Sequence, residues 1–310
     1  MAVELLSTGV HTFHTGQNIL SYHVTPSKKE KSRLWVQQAI AWGPGRGFYA
    51  RTLAPLLSEH FTVLDFSPRG SDESTRPKDA DGNDDPSQMS CTAMLADLEA
   101  LRQHLGLDAF DILSGHSQAG VPVLLYAALY PTRVETLVPL GTFMLGFDQS
   151  RNFEHYRQIR SSLPPWKNSY EAWTRFIQSP PQTDDEFRTV FAEMVPSYLV
   201  KPDRDRAAVT TGLLDPAHPP RVWSYNAVTP TYATDAHAKD MLDLLSRVQA
   251  RVLFSHGEHD MICSTEAVRI AEQNMQRGEA KEVRVDLFPI GHFPWIEAKD
   301  DFLQSIRDFV

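Results

Sequence analysis

The chain has 310 residues, 42% hydrophobic and 22% charged, which excludes a disordered chain and allows one large α/β domain or a domain carrying an insertion. A net charge of −9 speaks against nucleic acid or an anionic membrane as partner, since both require a basic face, and no run reaches the roughly 18 apolar residues of a membrane span. Met1-Ala2-Val3-Glu4-Leu5-Leu6 lacks the basic segment and long apolar run of a signal peptide. Two cysteines are too few for a disulfide framework or a cysteine zinc site, so the expectation is a cytoplasmic protein.

Strands and helices alternate along the chain, the pattern of a mostly parallel sheet covered on both faces. His11 to Thr25 reads as an opening hairpin around Gly16-Gln17-Asn18. Arg33 to Trp42 reads as a strand ending in the turn Gly43-Pro44-Gly45-Arg46-Gly47, with a helix from Phe48 to Glu59 behind it. Phe61 to Phe66 is the next strand, followed by a polar loop from Ser67 to Ser90. Met94, Leu95, Leu98, Leu101 and Leu105 recur at helical spacing between Thr92 and Leu105. The strand Phe110 to Ser114, the helix Val121 to Tyr130 and the strand Val134 to Leu140 continue the alternation.

From Phe147 to about Thr234 the rhythm stops. Helical stretches bearing Trp and Tyr are broken by Pro164-Pro165, Pro180-Pro181, Pro196, Pro202 and Pro219-Pro220, too long a segment for a structureless loop. The alternation resumes at Leu242-Leu245, then the strand Arg251 to Ser255, the helix Glu266 to Met275, the strand Val283 to Pro289 and a final amphipathic helix Trp295 to Val310. The expected organisation is a core over 1–146 and 235–310, interrupted by a helical cap over 147–234.

Gly115-His116-Ser117-Gln118-Ala119-Gly120 lies where a strand becomes a helix. A serine there is held in strained geometry with its hydroxyl lifted above the sheet edge, and the flanking small residues avoid a clash within the turn. Serine is a weak nucleophile and needs a base, and the base needs an orienting group. For a serine elbow the chain order is Ser, Asp or Glu, then His. Asp260 follows one late strand and His292 the next, in that order, with Glu258 and His259 as competitors earlier in the turn.

These features resemble the α/β-hydrolase superfamily, in particular its proline iminopeptidase-like branch. The resemblance rests on Gly43-Pro44-Gly45, Ser67-Pro68-Arg69-Gly70-Ser71, Asp97-Leu98-Glu99-Ala100-Leu101-Arg102, the Ser117 elbow, Tyr126 to Val134, Gly257-Glu258-His259-Asp260 and Gly291-His292-Phe293-Pro294-Trp295. It implies an α/β-hydrolase fold, with a mostly parallel eight-stranded sheet, helices on both faces and a helical cap. It also implies Ser117 as nucleophile, His292 as general base and acid, and Asp260 as orienter, with no metal or organic cofactor. The oxyanion hole would use the backbone N–H groups of Gln118 and Gly43. Here the branch's usual His-Gly-Gly-Pro-Gly is spelled Ala41-Trp42-Gly43-Pro44-Gly45, and loss of the histidine changes how that loop is braced.

Trp42, Trp166, Trp173, Trp223 and Phe293 are candidate pocket residues, and Tyr170, Phe176, Tyr198 and Tyr225 complete an apolar lid. Proline iminopeptidases hold the substrate amine with cap carboxylates. Glu154, Glu171, Asp184, Asp185, Glu186 and Glu193 sit in no matching motif. The expected substrate is a small to medium, moderately apolar ester, lactone, thioester or amide, with a proline-type aminopeptidase as alternative. Two other classes use the same fold: a cofactor-free oxygenase, in which a His–Asp pair deprotonates the substrate, and a ligand receptor. Arg69 reads as a structural tie, His116 as packing beneath the elbow, and Cys91 and Cys263 as inert thiols. The acids Asp79, Asp81, Asp84 and Asp85 lack calcium-ligand spacing and read as a solvated loop.

Overall fold

A computed structural model describes residues 2–43, 45–213, 215 and 218–310, so Met1 of the opening segment and Pro44 of the Gly43 turn lie outside the described residues. Eight strands form one sheet: β1 Gly9–Thr15, β2 Asn18–Thr25, β3 Leu34–Gln38, β4 Thr62–Ser67, β5 Phe110–His116, β6 Val134–Leu140, β7 Arg251–Gly257 and β8 Glu282–Phe288. Their order is β1-β2-β4-β3-β5-β6-β7-β8, with β2 antiparallel to both neighbours and β3 through β8 parallel. The sheet reverses its winding at β3 and β5. In open parallel sheets that is where a crevice forms, at the carboxyl ends of the strands.

Both faces of the central strands are covered, so their sequences read as unbroken apolar runs. Val252 and Phe254 of β7 join one core cluster while Leu253 joins the other, and Leu113 and Ile112 of β5 divide the same way. The helices that position the site are α1 Gly45–Thr52, α2 Cys91–His104, α3 Gly120–Leu129, α4 Ser150–Arg160, α5 Lys167–Gln178, α6 Asp184–Met194, α7 Pro202–Leu213, α8 Val222–Val228, α9 Thr265–Arg277 and α10 Lys299–Phe309. Helices α4 to α8 fall between β6 and β7, and no strand interrupts them among the described residues. Among the described residues no helix is long and apolar enough to cross a membrane.

Three boundaries differ from expectation for local reasons. The strand read from Arg33 to Trp42 ends at Gln38, because the amide of Gly43 turns back to the carbonyl of Ile40. The helix read from Phe48 to Glu59 starts at Gly45 and breaks after Thr52, and a single turn Ala54–Leu57 with Pro55 at its start follows. The terminal helix divides into a turn, Pro294–Glu297, and α10, because Ala298 leaves helical geometry at φ −134°.

Arg69 is the tie expected from its position. It donates to both carboxylate oxygens of Asp97 on α2 at 2.7 and 2.5 Å, and to the carbonyls of Gln88 and Ala93. Burial pushes the Asp97 carboxyl up, and the guanidinium beside it opposes that shift. Removing one member of such a pair strands a buried charge, at a cost of about 3–5 kcal/mol. Arg69→Met is therefore expected to lower the unfolding free energy by about that amount in urea titration at pH 7, and a change below about 1 kcal/mol would refute the assignment.

Candidate active site

Ser117 takes up φ 55°, the left-handed region that residues with a side chain rarely occupy. The turn leaves no alternative. A Cβ on Gly115 would lie 2.3 Å from the carbonyl oxygen of Ala119, and one on Gly120 2.2 Å from Cγ2 of Thr142. Ala119 sits at φ −67° and ψ −14°, ordinary helical values, which is why a glycine is not required at that position.

Asp260 and His292 emerge beyond the carboxyl ends of β7 and β8. His292 Nδ1 and Asp260 Oδ2 are 2.6 Å apart, and both residues are buried. The other carboxylate oxygen of Asp260 accepts the amides of Ile262 and Cys263 at 2.9 and 3.0 Å. Burial alone would raise the Asp260 carboxyl. The charge of His292 and its hydrogen bond outweigh that and hold it below the usual carboxylate range. An ionised acceptor at Nδ1 fixes the proton there and leaves Nε2 able to take one. The His292 amide donates to the carbonyl of Tyr198, the last residue of the turn after α6, at 2.9 Å.

His116 does more than pack. Its Nδ1 meets the Tyr49 hydroxyl at 3.1 Å and its Nε2 meets the carbonyl of His292 at 3.0 Å, with the two imidazoles 4.5 Å apart. Burial, then the charge of His292, pushes its pKa well below the ordinary value, so it braces the loop as a neutral ring. Cys263 also lies at the site, which its sequence did not signal. Its sulfur and the ligating atoms of Asp260 and His292 fall within 4.8 Å of one another, and the Ser117 hydroxyl faces it. Burial and the nearby Asp260 push the thiol well up, so it stays protonated and does not compete as a nucleophile.

The expected oxyanion donors separate. Gln118 follows the serine in the opening turn of the helix, where amides point outward. The assignment of Gly43 requires correction, because its N–H closes a turn on the Ile40 carbonyl at 3.2 Å. The Ala41-Trp42 loop is braced from other directions in place of a histidine. The Gln118 side chain accepts the Ala41 amide at 3.2 Å, Ser71 donates to the Ala41 carbonyl at 2.8 Å, and the cap amide of Arg221 donates to the Trp42 carbonyl at 2.8 Å.

Ser117, Gln118 and His292 open into one cavity of about 150 Å³ beneath the cap. Trp42, Trp173, Phe176, Tyr198, Tyr225 and Phe293 line it, and none of its described lining residues is an Asp, Glu, Lys or Arg. Trp42 both faces the cavity and packs edge-on against Phe191 and Tyr225. Two candidates fall elsewhere. Trp166, at the start of α5, is held by the Leu199 carbonyl at 2.9 Å, and Trp223 lies under the guanidinium of Arg76. Tyr170 is likewise turned away, its hydroxyl on the sulfur of Met261. A wider groove of about 720 Å³ adjoins the cavity through Phe143, Trp173 and Ile262, bordered by the polar residues Arg151, His155 and Gln158.

At least four of the six carboxylates named between β6 and β7 are engaged in contacts of their own. Asp184 pairs with Arg221, Glu186 completes the capping box of α6, Glu193 pairs with Arg175, and Glu154 pairs with Arg157. In the acidic loop, Asp84 pairs with Arg76 and Lys78 while Asp79 accepts the amides of Asp81 and Asn83, a loop tied by its own charges.

A family model described as alpha/beta hydrolase fold matches residues 42–298. Among solved structures, an alpha/beta fold family hydrolase from Bacillus anthracis aligns with TM-score 0.69 at 16% identity, over 97% of this chain and 99% of its own. The enol-lactonase from Burkholderia xenovorans aligns with TM-score 0.63 at 18% identity, over 96% and 99%. An esterase from Exiguobacterium antarcticum aligns with TM-score 0.62 at 16% identity, over 98% and 99%.

Proposed function

The chain belongs to the alpha/beta hydrolase fold family, and on that premise we propose that it is a serine hydrolase of small, apolar acyl esters or lactones. Ser117 is the nucleophile, His292 the base and then the acid, and Asp260 the orienter. The observation that carries this reading is the 2.6 Å contact of His292 Nδ1 with Asp260, which leaves Nε2 for a serine lining the same cavity.

His292 Nε2 takes the Ser117 proton as Oγ bonds to the substrate carbonyl carbon. The carbonyl electrons move to oxygen, which rests on the Gln118 amide at the start of a helix. The tetrahedral centre then collapses, the bond to the leaving group breaks, and His292 passes its proton to that group. Water, deprotonated by His292, repeats the attack and releases the acid and free Ser117. No step requires a metal or organic cofactor.

Cavity chemistry narrows the substrate. About 150 Å³ is the size of a cavity that accepts one benzene ring, and the aromatic lining favours an apolar acyl group there. The adjoining groove takes the leaving group. A proline-type aminopeptidase needs a carboxylate for the free amine, and the described lining supplies none. The enol-lactonase and esterase among the similar structures are in keeping with an ester or lactone. Two buried free thiols suit the cytoplasm.

A fluorophosphonate probe tests the chemistry and an acyl series tests the pocket. We expect stoichiometric labelling located at Ser117 by peptide mass spectrometry. With p-nitrophenyl esters, kcat/KM should be highest for acetyl to benzoyl groups and fall at least tenfold by decanoyl. Labelling at another residue overturns the mechanism, and undiminished decanoyl turnover overturns the pocket assignment.

A further inference from the structure

Glu297 is buried, 6% exposed, in the turn behind the catalytic loop, and it lines no part of the substrate cavity. Its carboxylate is fully engaged. Oε1 accepts the amide of Phe293 at 3.1 Å, and Oε2 accepts the amides of Gly291 at 3.1 Å and Val200 at 3.0 Å. Gly291 and Phe293 flank His292, whereas Val200 belongs to the cap segment between the turn at Tyr198 and α7. The same segment accepts the His292 amide through the Tyr198 carbonyl. One carboxylate thus fastens both sides of the histidine to the cap.

We propose that Glu297 is a positioning residue that sets His292 against Asp260 and Ser117 and ties that setting to the seating of the cap. This rests on the serine hydrolase reading given above. Three converging N–H donors call for two acceptor oxygens, which an ionised carboxylate provides and an amide does not. Burial nevertheless pushes the carboxyl up to about 7, against the three amides, which favour the charged form. The charged neighbours are Asp205 and Arg204 of α7, paired at 2.6 and 2.8 Å, with Arg204 also donating to the Glu297 carbonyl. Lys201 and Asp301 border the adjoining surface pocket, and His292 lies on the loop itself. As pH falls through about 7 the carboxyl takes up a proton, which changes one acceptor facing these amides and gives kcat an acid limb, while relief of the buried charge stabilises the fold as a whole. The folded carboxyl binds its proton more tightly than the unfolded one, so its stability contribution is complete below about 4.5 and is lost as pH rises through about 7.

Glu297→Gln places an NH2 group against at least one amide donor. It is expected to lower kcat on p-nitrophenyl acetate about 10- to 100-fold with KM changed less than threefold, and to shift the acid limb of kcat. The downfield proton resonance of the His292 Nδ1–H should broaden or move. Val200→Pro deletes the cap donor, and Leu199 at φ −110° and ψ 147° already suits a following proline. It should lower kcat three- to tenfold with a smaller change in the same resonance. Wild-type kcat, acid limb and resonance in both variants, with loss of thermal stability alone, would overturn the proposal. The resonance reports on His292 whatever reaction it serves. A wild-type protein inert to fluorophosphonate would therefore overturn the hydrolase reading and leave this one to be judged by the spectrum.

Discussion

Ser117→Ala is expected to reduce kcat on p-nitrophenyl acetate by on the order of 10⁵- to 10⁶-fold while leaving the thermal midpoint within a few degrees. On the proposed mechanism the oxygen removed forms the acyl bond, and no other protonated thiol or hydroxyl at the site replaces it. Cys263 is adjacent, but burial and Asp260 keep its proton in place. Alanine retains the left-handed strain at φ 55°, so the backbone gains no relief that would confuse activity with folding. His292→Ala should be about as damaging, because serine and base act as one unit and their losses do not add. The paired result separates two reaction classes on this fold. A cofactor-free oxygenase would keep turnover of its substrate in Ser117→Ala and lose it in His292→Ala. A ligand receptor would bind its ligand equally well in both variants.

The core of this architecture was legible from local chemistry. Parallel strands buried on both faces write themselves as apolar runs, so β4 to β8 fell within a few residues of their expected ends. The serine elbow is likewise local, since its small residues are dictated by contacts inside six positions. Asp260 and His292 each follow a strand that the alternation of the sequence locates. What local sequence does not carry depends on contacts made across the chain. Whether the Gly43 amide points at substrate or at Ile40 is decided by a turn, not by residue type. Trp166 and Trp173 are equally aromatic, yet only Trp173 faces the cavity, because Trp166 is drawn to a carbonyl beyond the helix start. In the sequence Glu297 is one more polar position of the terminal amphipathic segment. Its role appears only when Val200, Gly291 and Phe293 converge on it, and the sole local trace is the break at Ala298.

Asp260→Asn is expected to lower kcat about 10⁴-fold, and to be at least as harmful as the more drastic Asp260→Ala. The reason lies in which oxygen is already committed. Oδ1 accepts the amides of Ile262 and Cys263, so an asparagine at this position turns its carbonyl to those two donors. Its NH2 group is then left facing His292 Nδ1, where the carboxylate now sits at 2.6 Å. A donor there drives the imidazole proton to Nε2, the nitrogen that accepts the Ser117 proton in the proposed mechanism. Alanine removes the orienting group but imposes no tautomer. Nitrogen-15 spectra of the His292 ring should accordingly show Nδ1 unprotonated in Asp260→Asn and a tautomer mixture in Asp260→Ala. The substitution also changes acid stability. Because the Asp260 carboxyl lies below its usual range when folded, it stabilises the protein above the unfolded value and that contribution disappears as pH falls through the folded one. Asp260→Asn should therefore show a shallower loss of thermal stability on acidification than wild type. An asparagine variant within tenfold of wild-type kcat would mean that Asp260 does not set the tautomer, and the base would have to be oriented by other contacts, such as the His116 and Tyr198 bonds to its backbone.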